Sequence, residues 1–198
     1  MGRKISNILP VRTNQDMSRF YKTILCGIIS VSLFGCKSNN PTIKIDDFVL
    51  FSAVDKIDSV SGTTNMIPLI YKHISIPDTI VLINKISDLM DSVSYYNFNK
   101  LKIEVLGIDS ADNNFKTLKI NLKENPGFVI PDSLGKYRSW YDFFQGSSGG
   151  QQTTIVLIES TLQRQYKGDW IDAVEFFYQD EVIGEWDHIS LSGQIKRF

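Results

Sequence analysis

Two stretches of this chain repeat their apolar residues at helical spacing, and the other apolar residues fall in short runs, two of which alternate in period two. That division points to a sheet with a few helices packed on it, and away from alternating strand-helix units. Leu82, Ile86, Leu89, Met90 and Val93 stand at offsets 0, 4, 7, 8 and 11, which predicts a helix over 78–94 entered through Ile76-Pro77-Asp78-Thr79. Ile155, Ile158, Leu162 and Tyr166 stand at offsets 0, 3, 7 and 11, with polar residues opposite, and predict a second helix over 153–167. Its Thr, Ile and Val residues favour strand locally, but fifteen residues without a turn is long for one. The preceding Ser-Ser-Gly-Gly offers caps, and Gly168 suits the left-handed position after a helix end.

The remaining apolar runs read as strands. FVLFSAV within Ile43–Val54 is a buried one, and Asn65–Ile76 is a second, whose Pro68 fits an edge or a strand start. Leu101, Ile103 and Val105 alternate within Lys100–Asp109, as do Leu118, Ile120 and Leu122 within Phe115–Leu122, and SADNN between them reads as a hairpin loop. WIDAVEFFYQ and EVIGEW follow Gly168 as two strands around a turn near Gln179–Glu181, and the tail HISLSGQIKRF shows little further pattern. Ser59–Asn65 and Asn125–Lys136 are turn-rich. The expected fold is therefore α+β: one domain over 43–198, in the order β-β-α-β-β-α-β-β, with two helices on a mixed or antiparallel sheet.

The first 42 residues read differently. From Met17, two basic residues, Arg19 and Lys22, precede an apolar run of thirteen, Thr23–Gly35, which ends at Cys36. This is a signal-peptide layout, too short for a spanning helix of roughly 20 apolar residues. Leu33-Phe34-Gly35-Cys36 resembles a bacterial lipobox, which implies cleavage before Cys36 and acylation of its sulfur and new amine. Several acyl chains anchor stably where one does not. Met1–Asp16 fits neither signal nor fold, so translation is expected to start at Met17, with 17–35 the signal peptide and 36–42 a lipidated polar tether. The mature chain then has no free thiol, because Cys26 leaves with the signal and Cys36 carries lipid; disulfides, thiol catalysis and cysteine metal sites are excluded. It carries sixteen basic and twenty-one acidic residues, a net charge of −5, which argues against nucleic acid as a partner.

The ordered elements resemble the sporulation and spore-germination domain, GerMN, over roughly residues 46–196. A Gly/Ser loop opens a helix carrying Thr161-Leu162, a valine strand and hairpin run from Val174 to Ile183, and His188-Ile189-Ser190-Leu191-Ser192 closes the set. Upstream, MIPLIYKHISI before a helix and LKIEVLGIDSADNNFKTLKINL are similar to the family's second strand and middle hairpin. The Lys167–Trp170 turn lacks the family's usual Phe-Pro, and Glu181-Val182 stands where Asp-Gly is common. The resemblance implies assembly or scaffolding at a bacterial envelope rather than catalysis, and does not imply that the organism sporulates.

Four groups of residues invite a chemical role. Gly146-Ser147-Ser148-Gly149-Gly150 fits G-x-S-x-G, with Asp172 or Asp187 and then His188 in hydrolase order. That chemistry needs Ser148 on a strand-to-helix turn, and the preceding YRSWYDFFQ does not read as a strand; a structural helix start is the better account. His188 and His73 are the chain's two histidines, too few for a histidine-rich metal site. Asp109, Asp112, Asn113 and Asn114 crowd one loop, but lack the EF-hand spacing and distal Glu. No metal or cofactor is expected.

The densest aromatic segment, Tyr137, Trp140, Tyr141, Phe143 and Phe144, lies beside the Gly/Ser loop and is the candidate binding surface, together with Trp170 and Trp186. Most of these would be core; any left exposed would mark an interaction surface. The expectation is a lipid-anchored, non-catalytic binding or assembly module facing the periplasm or exterior. It would be held at a membrane by acylated Cys36 and would engage an envelope protein or cell-wall glycan. The alternatives are a small serine hydrolase using Ser148 and His188, or a periplasmic immunity-type inhibitor lipoprotein.

Overall fold

The computed structural model describes residues 43–111, 114–124 and 137–198. Residues 1–42, with the expected signal peptide, Cys36 and expected tether, lie outside the described residues, as do Asp112, Asn113 and the turn-rich 125–136. The architecture is α+β, with two sheets and three helices among the described residues.

The described residues open with an antiparallel ribbon of β1 (Ile45–Ile57) and β2 (Thr64–Pro77). Its loop is tied by Asp58, whose carboxylate accepts from the amides of Val60 (2.8 Å) and Ser61 (2.9 Å), while Gly62 takes φ +71°. Among the described residues no further strand pairs with β2, so Pro68 sits on an edge as expected. A bulge at Leu50/Phe51 leaves Tyr71 as the extra residue on β2.

The first helix, α1, spans Leu82–Asn97 rather than 78–94. Asp78 does not cap it: the Asp78 amide donates to the Lys44 carbonyl (2.9 Å) and that of Ile80 to the Pro77 carbonyl, so 78–80 make a turn first. The predicted stripe is nevertheless the buried one, with Ile86, Leu89, Met90 and Val93 fully inside. Each such side chain contributes roughly 1.5–3 kcal/mol of transfer free energy. Beyond α1 the chain turns back through Asn99 (φ +51°) and Lys100 (φ +65°), whose amide closes onto the Ser94 carbonyl (3.0 Å).

The second sheet has five strands: β3 (Lys102–Ser110), β4 (Lys116–Lys123), β5 (Ala173–Tyr178), β6 (Glu181–Val182) and β7 (Gln194–Lys196). The path runs β3-β4-β5-β6 with β7 also on β5; among the described strands of this sheet only the β4–β5 pair is parallel. Leu118, Ile120 and Leu122 of β4 are wholly buried, as their alternation predicted. At the β5–β6 turn Gln179 (φ +52°) and Asp180 (φ +70°) are both left-handed. The Asn121 side chain holds that turn, donating to Asp180 Oδ1 (2.7 Å) and accepting from its amide (3.1 Å). Strand β7 was not expected, because three residues are too few to show an alternation; its pairing with Ala173–Glu175 defines it.

Two corrections concern the helices that follow β4. Trp140–Phe144 is a short helix, α2, started by a capping box in which the Ser139 hydroxyl accepts from the Asp142 amide (3.1 Å) and the Asp142 carboxylate accepts from the Ser139 amide (3.0 Å). The long helix, α3, runs Ser147–Leu162, about five residues earlier than 153–167. It ends at Gln163 (φ +45°), not before Gly168.

The reason for that early stop is the free edge of β1. Val49 gives its amide to Gln163 Oε1 (2.9 Å), and its carbonyl accepts from Gln163 Nε2 (2.7 Å). Two residues on, Phe51 gives its amide to Ser160 Oγ (3.0 Å), and its carbonyl accepts from Asn97 Nδ2 (3.1 Å). Side chains from α3 and α1 thus take the place of a neighbouring strand, so a buried edge keeps its hydrogen bonds. Both helices pack on each other, α1 also on β3 and α3 on β1 and β5. At the same end of β1, Lys85 pairs with Asp46 at 2.5 Å, and this bond holds the Asp46 carboxyl below its ordinary range against the opposing effect of burial.

Candidate binding cleft

The aromatic segment divides according to the face of α2 on which each residue falls. Trp140, Phe143 and Phe144 stand at i, i+3 and i+4 and turn inward, while Tyr141 points out and is 53% exposed. Trp140 and Phe144 are fully buried, and so is Trp170, whose indole donates to the Thr161 carbonyl (2.9 Å). These three are core and are removed from the candidate surface. Trp186 is half-buried, against Phe144 (5.3 Å between ring centroids), Tyr178 (6.0 Å) and Tyr141 (6.1 Å). Burial and the neighbouring Glu124 carboxylate push the Tyr178 hydroxyl up to about 12.

Tyr137 and Phe143 are brought to a cleft of about 290 Å³, between the C-terminal end of α1 and the first turns of α3. Their rings lean on each other at 4.9 Å and form one wall. Asn97, Asn99, Gln152 and Thr153 supply the polar groups. Asn99 donates to the Tyr137 carbonyl (2.9 Å), and Thr153 Oγ lies 2.9 Å from the carbonyls of both Phe143 and Gly149. Asn97 spends its Nδ2 on β1, but its Oδ1 is buried with no partner. An unsatisfied buried acceptor is costly and calls for an explanation. Among the described lining residues there is no Asp, Glu, His, Lys or Arg.

None of these four polar residues was singled out from the sequence. The available signal was Asn97-Phe98-Asn99, two asparagines around a core aromatic at a helix end, where Asn tolerates the left-handed backbone. A second missed cluster is exposed and joins β2 to the end of α1: Tyr71, Tyr95 and Tyr96, with Lys72 and Lys100 lying over the rings of Tyr96 and Tyr95 at 4.8 and 5.0 Å.

The G-x-S-x-G frame is a helix start. Ser148 lies in the first turn of α3, which is reached from α2 through Gln145 and Gly146 rather than from a strand. Ser148 and His188 are both exposed, and no hydrogen bond joins them. Asp172 accepts from the Lys116 amide (2.8 Å). The frame's last glycine has a packing reason: a Cβ on Gly150 would stand 2.2 Å from the His188 carbonyl oxygen and 2.7 Å from its carbon. The same tail is docked by the Ser190 amide, which donates to Thr154 Oγ1 (3.0 Å). On Gly149 the nearest atom to such a Cβ is Tyr137 Oη at 3.8 Å. Gly150→Ala is therefore expected to destabilise by about 1–3 kcal/mol, and Gly149→Ala to be neutral or to stabilise by up to ~1 kcal/mol. Urea denaturation of the two variants measures the contrast, and equal midpoints would remove the role given to Gly150.

His73 pairs with Asp47 (2.8 Å) on the exposed ribbon, and Asp109 with Lys119 (2.6 Å). Among the described residues no group of three or more His, Cys, Asp or Glu side chains is placed to hold a metal. Nor, among them, is any helix long and apolar enough to cross a membrane. Compared with protein-family models, with curated proteins and with solved structures, the chain finds no match.

Proposed function

We propose that this chain is a lipid-anchored protein of a bacterial envelope, whose GerMN-like α+β domain is a non-catalytic binding or assembly module with the α1–α3 cleft as its recognition site. The observation that carries the reading is the cleft itself, an aromatic wall beside the side-chain amides of Asn99 and Gln152. Small-molecule sites are commonly built this way, from apolar surface and a few convergent polar groups. The lipobox-like Cys36 and the ordered GerMN-like elements support the envelope setting.

Tethering is the mechanism: acyl chains on Cys36 restrict the domain to a membrane surface, which raises its effective concentration toward envelope components. Intact mass of membrane-extracted native protein tests the anchor. The expected mass begins at Cys36 and includes acyl chains, and Cys36→Ala lacks them. A chain that retains residues 17–35 without acylation overturns the tether. A photo-crosslinking residue at position 152 tests the cleft in cells, where the expected crosslinked product disappears in Gly149→Leu.

A further inference from the structure

We infer that the cleft takes one sugar ring of an uncharged glycan, an inference that rests on the cleft being the recognition site. Size, charge and unspent hydrogen-bonding capacity each narrow the ligand. At about 290 Å³ the space lies at the small end of the ~300–1,000 Å³ typical of small-molecule sites and suits one ring. No cationic side chain is among the described lining residues, and against these a phosphate or carboxylate would be desolvated beside the amide oxygens without a counter-charge. An apolar ligand would cover the amides of Asn99 and Gln152 without replacing their hydrogen bonds to water.

What remains free is a set of groups that hydroxyls satisfy. Asn99 has committed its nitrogen to the Tyr137 carbonyl, which leaves its oxygen to accept. Gln152 is exposed and offers both donor and acceptor, and the first-turn amide of Gly149 has no carbonyl within its helix. A sugar hydroxyl both donates and accepts, so neighbouring hydroxyls serve such mixed partners. The wall fits the other half of the ligand. Tyr137 and Phe143 touch each other at 4.9 Å, so no flat ring lies between them; they present one aromatic side, whose electron-rich face attracts the polarised C–H groups of a saturated ring. A glycan stacked on one face and hydrogen-bonded at its edge uses all of these groups.

The test is saturation-transfer NMR on the full-length protein in detergent micelles, with N-acetylglucosamine, glucose and their β-1,4-linked disaccharides as probes and adenosine as a planar control. Transfer to a sugar and not to adenosine is expected. Gly149→Leu places a side chain at the cleft on a helical backbone where a Cβ meets only ordinary contact, Tyr137 Oη at 3.8 Å. It should abolish transfer, while Gln152→Ala weakens binding ~2- to 10-fold. Transfer unaffected by Gly149→Leu, or transfer to adenosine alone, overturns the inference. If no probe binds while the cellular crosslink at position 152 is still lost in Gly149→Leu, the sugar is overturned and the recognition site stands. If that crosslink is also unchanged, both fall.

Discussion

Gln163→Leu is expected to cost this domain about 3–5 kcal/mol, a large part of a typical 5–15 kcal/mol stability. Leucine matches glutamine in bulk but has no amide. The substitution leaves the Val49 N–H and C=O without partners in a wholly buried place, and removes the bond to the Ser160 carbonyl (2.6 Å). Each orphaned group costs roughly 1–3 kcal/mol. Two companion variants separate the clamp from backbone strain. Gln163→Gly relieves a left-handed conformation worth about 1–2 kcal/mol yet also loses the amide, so it should fall between parent and Gln163→Leu. Gln163→Glu keeps an acceptor for Val49 N–H but turns a buried negative oxygen toward two carbonyls, so at neutral pH it should be at least as damaging as leucine. Urea midpoints at unchanged slope give the ordering. A Gln163→Leu variant within about 0.5 kcal/mol of the parent would falsify the view that side chains replace a strand at the β1 edge.

Trp140→Ala is the second large effect, expected at about 3–5 kcal/mol. Its side chain is fully buried, packs on Phe98 (4.9 Å), Phe143 and Phe144 (6.1 Å each), and donates its indole N–H to the Lys102 carbonyl (3.1 Å). Alanine opens a cavity and also unpairs that carbonyl. For a domain of this size the loss corresponds to a fall in Tm of roughly 10 °C or more. Trp140→Phe keeps much of the packing and should cost less. Tyr141→Ala, one residue along on the exposed face, should shift Tm little. Thermal melts followed by circular dichroism compare the three, and a Trp140→Ala melt indistinguishable from that of Tyr141→Ala would return the segment to the surface.

These two residues mark what could and could not be read beforehand. The buried stripe of α1 and the alternation in β3 and β4 were legible, because a periodic apolar face is a local property that survives whatever it packs against. Boundaries were less so. Asp78 has the chemistry of a helix cap, but its amide is used by Lys44, and Gly168 has the freedom of a helix stop, but the chain had already stopped at Gln163. In both places a contact distant in sequence outweighed a local preference. Strand β7 has no local pattern to detect; it exists because β5 offers it an edge.

The candidate site was half legible. The aromatic segment led to Tyr137 and Phe143, but could not separate them from Trp140 and Phe144 before the turn of α2 was known. Asn97, Asn99 and Gln152 were invisible as a group, since 55 residues separate Asn97 from Gln152 and only the packing of α1 on α3 brings them together.

By itself the sequence determined the α+β class, the core faces of α1, β3 and β4, and the layout that ends at Cys36. Each of these is written in the spacing of neighbouring residues, and the hydrophobic effect reads spacing without regard to partners. Only the tertiary structure decided where α3 ends, which aromatic rings are buried, that side chains complete the β1 edge, and that a small cleft with no charged residue among its described lining opens between α1 and α3. Those outcomes depend on satisfying particular buried hydrogen bonds between segments far apart in the chain, and such partners acquire a geometry only once the helices and sheets have packed.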